Sequence, residues 1–233
     1  MKKLLTALVI IVSLGTAGAV CAQDFDKGLR AAQSGDFATA LKEWTVLAEQ
    51  GNAIAQYNLG QMYKNGQGVV QDYKEAVKWY RKSAEQGLAA AQFNLGWMYA
   101  KGQGVVQDYK EAVKWFRKSA EQGNADAQSN LGFMYANGRG VVQDYKESAK
   151  WNRKSAEQGN AGAQSNLAVM YGNGQGVIQD NVYAHMWFNI AASNGNKNAV
   201  KGRDIVAKGM TAADISKAQG LARACVAKKY KGC

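Results

Sequence analysis

Four copies of a 36-residue unit follow one another without a gap, and this period constrains the fold more than any other feature of the chain. The string QYNLGQMYKNGQGVVQDYKEAVKWYRKSAEQG at 56–87 returns at 92–123 and 128–159, and in worn form at 164–195. Trp79, Trp115, Trp151 and Trp187 stay in register, as do Met62, Met98, Met134 and Met170. A unit this short cannot bury an apolar face alone, so the copies must stack and share one core.

Each copy reads as helix, turn, helix. The first helix is predicted over about Ala53 to Lys64, and the turn carries Gly66 and Gly68. The second begins at Asp72, where Asp72 and Glu75 have capping-box spacing. Asp108/Glu111 and Asp144/Glu147 repeat it, whereas the fourth copy keeps Asp180 but has Tyr183 in place of the glutamate, so its box is expected to be lost. Gly87, Gly123, Gly159 and Gly195 stand where a glycine ends each second helix. The chain contains no proline, which suits near-continuous helix with glycine-built turns.

The segment before the repeats is a degraded copy. Asp36-Phe37 aligns with Asp72-Tyr73, Ala40 with Ala76 and Trp44 with Tyr80. The domain reading is 1–22 signal peptide, 23–50 N-terminal helical cap, 51–195 repeats and 196–233 C-terminal helical cap. In that last cap Gly209 ends one helix, and Thr211 with Asp214 starts the next.

The signal reading rests on Lys2 and Lys3, the apolar run Leu4 to Leu14 and a small-residue stretch ending Val20-Cys21-Ala22, with cleavage expected after Ala22. The rival is a lipoprotein signal acylated at Cys21, but the branched Val20 fits it poorly. No later segment resembles a membrane span. The expected location is the periplasm or the exterior. Losing two lysines takes the formal charge from +11 to +9, which favours acidic partners. With an export signal, anionic envelope polymers, lipid head groups or acidic proteins are more apt partners than nucleic acid. Cys225 and Cys233 then form an even pair, read as a disulfide on the final helix worth roughly 2–3 kcal/mol; two free thiols are the alternative.

The elements Ala53, Ala55, Gln56, Leu59, Gly60 and Tyr63, then Gly66, Gly68 and Val69, then Ala76 and Trp79, resemble the Sel1-like repeat, a relative of the tetratricopeptide repeat. The resemblance covers about residues 36–195. It implies an all-α fold, an α/α solenoid wound as a right-handed superhelix of helical hairpins with helical caps. It further implies an adaptor or scaffold for other proteins. Some cysteine-rich secreted Sel1-like proteins are described as β-lactamases or penicillin binders. Those carry a disulfide in each repeat and this chain has none there, so binding or hydrolysis of peptidoglycan or β-lactams is the alternative rather than the leading expectation.

Comparing the copies within this one chain isolates a candidate binding face. Four first-helix positions vary: Ile54/Ala90/Asp126/Gly162, Tyr57/Phe93/Ser129/Ser165, Gln61/Trp97/Phe133/Val169 and Lys64/Ala100/Ala136/Gly172. Their spacing of i, i+3, i+7, i+10 puts them on one side of a helix. The constant positions Ala55, Leu59, Met62 and Tyr63 lie on the other, and Gly60 permits close helix approach. The variable side is aromatic rather than polar. Tyr57, Gln61, Phe93, Trp97 and Phe133 are therefore the expected contacts for a protein or an extended peptide. Aromatic faces also stack on sugars, so a glycan ligand stays open; so does the bland alternative that these rings fill the solenoid interior.

On the second helix Lys74, Lys78, Arg81 and Lys82 form a basic stripe, repeated by Lys110, Lys114, Arg117 and Lys118, then Lys146, Lys150, Arg153 and Lys154. It reads first as a solvated outer face and second as a ridge towards an anionic envelope surface. No catalytic set, metal ligands or cofactor is expected. His185, the single histidine, falls at an inward-leaning position held by Val77, Val113 and Ala149 in the other copies. The recurring Ser83, Ser119 and Ser155 suit packing better than one nucleophile, and the G-x-G turn has neither the strand nor the lysine of a phosphate loop.

Overall fold

A computed structural model describes residues 18–233, with side chains from Phe25 onward. Lys2, Lys3 and the Leu4 to Leu14 run, on which the export signal rests, lie outside the described residues, as does the side chain of Cys21. Among the described residues there are twelve α-helices and no strand. The described residues divide into two compact units, one up to residue 107 and one over 108–233. The first holds α1 (Gly18–Ser34), α2 (Phe37–Glu49), α3 (Ala53–Asn65), α4 (Tyr73–Glu85) and α5 (Ala89–Lys101). The second holds α6 (Tyr109–Glu121), α7 (Ala125–Asn137), α8 (Tyr145–Ala156), α9 (Ala161–Asn173), α10 (Asn181–Ser193), α11 (Lys197–Ala207) and α12 (Ala212–Ala227). Helices α1/α2, α3/α4, α7/α8 and α9/α10 pair as hairpins, and α10 also packs against α11 and α12. None of the described helices is long and apolar enough to cross a membrane.

The helix ends follow from a few side chains. Asn52 Oδ1 accepts from the amides of Ile54 and Ala55 and starts α3. Gly66, at φ +68°, stops it in the left-handed conformation. Asp72 Oδ1 accepts from the amides of Lys74 and Glu75 at 2.8 and 3.1 Å and starts α4. At its far end the amides of Gly87 and Leu88 donate to the carbonyls of Ala84 and Ser83, a Schellman stop.

The expected capping boxes at Asp72 and Asp144 form only by half. The amide of Asp72 donates to the Tyr63 carbonyl at 2.9 Å, so Glu75 has no amide to reach back to and pairs with Lys78. Asp144 likewise donates to Tyr135 while Glu147 pairs with Lys150; in the second copy, too, Glu111 pairs with Lys114. The missing glutamate of the fourth copy therefore matters little, and Asp180 still caps Val182 and Tyr183. A complete box occurs at Thr211/Asp214, which opens α12.

Ala55, Leu59 and Met62, with their counterparts Ala91, Leu95 and Met98 in the first unit and Ala127, Leu131 and Met134 in the second, are buried. Gly60 is bare because Tyr80 lies on it: a Cβ there would come within 2.6 Å of the ring. Trp44 presses on Gly28 in the same manner in the N-terminal pair. Ala168 is tolerated in the fourth copy, where the edge of the Phe188 ring is set against Gly202 of α11. Polar seams tie each hairpin to the one before it. The buried glutamine of the A-x-A-Q motif donates to the end of the preceding helix: Gln56 to Ala48, Gln92 to Ala84, Gln128 to Ala120 and Gln164 to Ala156, all at 3.0–3.1 Å. Ser83 and Ser155 donate to the carbonyls of Ala53 and Ala125 at 2.7 Å, a packing role. Cys225 and Cys233 are disulfide-bonded, Cα–Cα 5.6 Å, closing the tail after α12. There Tyr230 Oη donates to Asn194 at the end of α10.

Candidate functional site

Four of the five singled-out residues lie in the first unit, Tyr57 and Gln61 on α3 and Phe93 and Trp97 on α5, and all four are half-buried. Gln61 joins two rings. Its Nε2 donates to Tyr57 Oη and its Oε1 accepts from Tyr80 Oη, each at 2.8 Å. The Tyr57 and Tyr80 rings lie 5.9 Å apart. Burial, then the nearby Tyr57, pushes the Tyr80 phenol well above its usual 10.0, so at neutral pH it remains a donor to Gln61. Trp97 is flanked by two cations: Lys64 Nζ lies 4.8 Å from its ring centroid and Lys101 Nζ 6.0 Å. Partial burial lowers the Lys64 pKa. The arrangement offers aromatic area beside ammonium groups, which suits an apolar side chain next to a carboxylate.

The fifth residue, Phe133 on α7 of the second unit, is 42% exposed. The Arg139 guanidinium lies 5.3 Å from its ring and 5.6 Å from that of Tyr109. Val169 of α9, at the same repeat position, is 43% exposed. None of the five is sealed inside. The sequence missed two partners, Tyr80 for Gln61 and Lys64 for Trp97. Each sits across a helix or hairpin boundary where no local spacing relates them.

The Sel1 repeat family model matches residues 53–88, 89–124, 125–160 and 161–196. The chain belongs to the Sel1-repeat family. This Sel1-repeat protein is similar in structure to c5321, a protective antigen present in uropathogenic Escherichia coli strains that displays the SLR fold, with 38% identity and a TM-score of 0.83 over 90% of this chain and 46% of that one. It thus spans about half the length of c5321. A Sel1 repeat protein from Oxalobacter formigenes matches at 38% identity and a TM-score of 0.71, over 75% of this chain and 71% of that one. A putative sel1 repeat protein from Klebsiella pneumoniae subsp. pneumoniae, 21% identical, shares the fold at a TM-score of 0.52 over 82% of this chain and 95% of that one. No curated protein matches. Sel1-repeat scaffolds typically mediate protein–protein interaction.

The basic stripe of this Sel1-repeat protein is not uniform. Lys74, Lys78 and Lys82 are exposed, but Arg81 turns into the next hairpin, where Nη2 donates to Tyr99 Oη at 2.6 Å and the guanidinium lies over the ring. Arg117 and Arg153 bond Tyr135 and Tyr171 in the same way, so the arginines are structural and leave the stripe. Lys78 and Lys82 lie over Trp79, at 5.7 and 4.5 Å from its centroid, and shield its ring from water.

Among the described residues no group of three or more His, Cys, Asp or Glu could hold a metal ion. His185 is 3% exposed, and its pKa falls below the ordinary 6.5 through burial, then the charge of Arg203, against an opposing pull from Asp204. As pH drops below 6.5 the unfolded histidine takes a proton that the folded one refuses, so stability is lost through that window and levels off below the folded value. The melting temperature of the wild type should therefore fall more steeply from about pH 7 to about pH 5 than that of His185→Val, the residue of the first two copies. Parallel calorimetric profiles of the two proteins would contradict this.

Proposed function

We propose that this protein is an exported, non-catalytic scaffold of the cell envelope that holds an extended peptide segment or a protein surface on the outward face of its first helices. One observation carries the reading. Tyr57, Phe93 and Trp97 stay partly open to solvent at positions that vary between otherwise near-identical copies, while the invariant Ala55, Leu59 and Met62 supply the packing. Packing accounts for the invariant face, and the half-open rings of the other keep area for a partner. Large flat side chains with a polar rim are what interaction hot spots use. Lys64 and Lys101 beside Trp97 favour a partner whose anchor is flanked by acidic residues. The export part rests on Lys2, Lys3 and the apolar run behind them.

The test is site-specific photocrosslinking in intact cells, with the probe at Ala100 beside the rings and a control probe at Lys118 on a second helix. A discrete adduct is expected from position 100, recovered in the envelope or periplasmic fraction and absent from the control. Trp97→Ala and Phe93→Ala should each lower its yield at least ~10-fold, the scale of a lost hot spot. An unchanged adduct pattern in both variants would sink the reading, and recovery in the cytoplasm would sink its export part.

A further inference from the structure

The turn of each repeat presents one apolar side chain almost wholly to water: Val70 is 89% exposed, Val106 88%, Val142 88% and Ile178 90%. No other large apolar residue among those described is more than 67% exposed. These tips are held firmly. The next residue clamps the loop to the end of its own first helix, with Gln71 Nε2 donating to the Lys64 carbonyl at 2.8 Å and Gln179 to that of Gly172 at 2.8 Å. An extended segment ahead of an N-cap suits β-branched residues, but threonine would serve equally and remain polar. The fourth copy, which has lost much of the motif, has replaced valine by isoleucine and so keeps the tip apolar.

The turns are also stacked. A Cβ on Gly104 would lie 2.9 Å from the Lys74 amide nitrogen, and one on Gly176 2.8 Å from that of Lys146. The loops of the second, third and fourth copies therefore rest on the start of the preceding repeat's second helix, at the backbone of the exposed Lys74, Lys110 and Lys146, whereas the first loop rests on Phe37 of α2. The Asp72 carboxylate on this edge is turned into its helix, where it accepts two amide bonds. Each unit carries two such tips: Val70 and Val106 in the first, Val142 and Ile178 in the second.

We propose that the loop edge of each unit is a peripheral membrane contact. The valine and isoleucine tips enter the boundary between head groups and acyl chains of an anionic bilayer, and Lys74, Lys110 and Lys146 meet the lipid phosphates. A bilayer fits better than a protein because each loop offers a single apolar side chain followed in sequence by glutamine and aspartate, not the contiguous patch a protein hot spot needs. A second copy is disfavoured because it would set lysine edge against lysine edge on a chain of formal charge +11. Clamped loops lose little freedom on insertion. The proposal is independent of the first-helix aromatic face.

Flotation of the full chain with vesicles of phosphatidylglycerol and phosphatidylcholine, and with phosphatidylcholine alone, tests it. The wild type should float with the anionic vesicles and at least ~10-fold more weakly with the neutral ones. The variant V70S/V106S/V142S/I178S should lose flotation by at least ~10-fold with helix content and melting temperature unchanged, since its side chains leave no packed position. V106W should bind more tightly, with helix content and melting temperature unchanged so that exposure of the core does not account for the gain. Wild-type protein that stays unbound, flotation that ignores lipid charge, a quadruple variant that floats as the wild type does, or no gain from tryptophan would each overturn the proposal. Because every variant keeps residues 1–22, binding through the N-terminal apolar run would appear as the third of these outcomes.

Discussion

Gly104→Ala should destabilise the first unit by at least about 3 kcal/mol, while Gly66→Ala in the same kind of turn should cost only about 1–2 kcal/mol. Both glycines hold left-handed backbone, at φ +71° and +68°, so both variants suffer the steric penalty of that region. They differ in what a Cβ would meet. At Gly66 the nearest atom would be 3.4 Å away, ordinary contact. At Gly104 the Cβ would lie 2.2 Å from the Tyr73 carbonyl oxygen and 2.4 Å from its carbon, backbone atoms that cannot swing aside. The turn must then lift off the start of α4, which separates two stacked repeats. Gly140 and Gly176, at 2.2 and 2.0 Å from the carbonyl oxygens of Tyr109 and Tyr145, repeat the contact in the second unit. Urea unfolding followed by circular dichroism reads both variants. Equal losses would mean that the stacking contact contributes nothing.

The second large effect is expected at Trp187. Its side chain is 0% exposed and belongs to a cluster with Leu167, Ile190, Ala199, Ala222 and Cys225. Removing the indole leaves a cavity in a cluster to which α9, α11 and α12 all contribute. Trp187→Ala should cost about 3–5 kcal/mol. The loss should appear first as release of the C-terminal cap, seen as faster proteolysis in 197–227. Ile205→Ala in the same cap, where the side chain is 67% exposed, should stay within about 0.5 kcal/mol of wild type. Comparable losses for the two would refute the assignment of Trp187 as the anchor of that cap.

Much of this structure is legible in the repeat. The expected helix over Ala53 to Lys64 is α3, Ala53–Asn65, and the expected start at Asp72 is the N-cap of α4. Gly60 has the tight partner its bareness implied. Tyr57, Phe93 and Trp97 are half-buried and Phe133 is 42% exposed. The errors are of one kind. Spacing pairs Glu75 with the Asp72 amide, which the carbonyl of a tyrosine nine residues earlier already holds. Helical spacing puts Arg81 on the solvated stripe, whereas a tyrosine 18 residues later binds it.

The sequence alone determined where helices begin and end and which face of each is buried. Those features depend on groups within a few residues: a capping carboxylate, a left-handed glycine, an apolar side chain at helical spacing. The tertiary structure alone decided the partners of the long polar and aromatic side chains. Gln61 between Tyr57 and Tyr80, Lys64 over Trp97, Arg81 on Tyr99 and the turn of Gly104 on Tyr73 all join separate helices or successive repeats. Such pairs depend on the angle and offset at which hairpins stack. That geometry is set by how whole side-chain layers interlock, which no local spacing encodes.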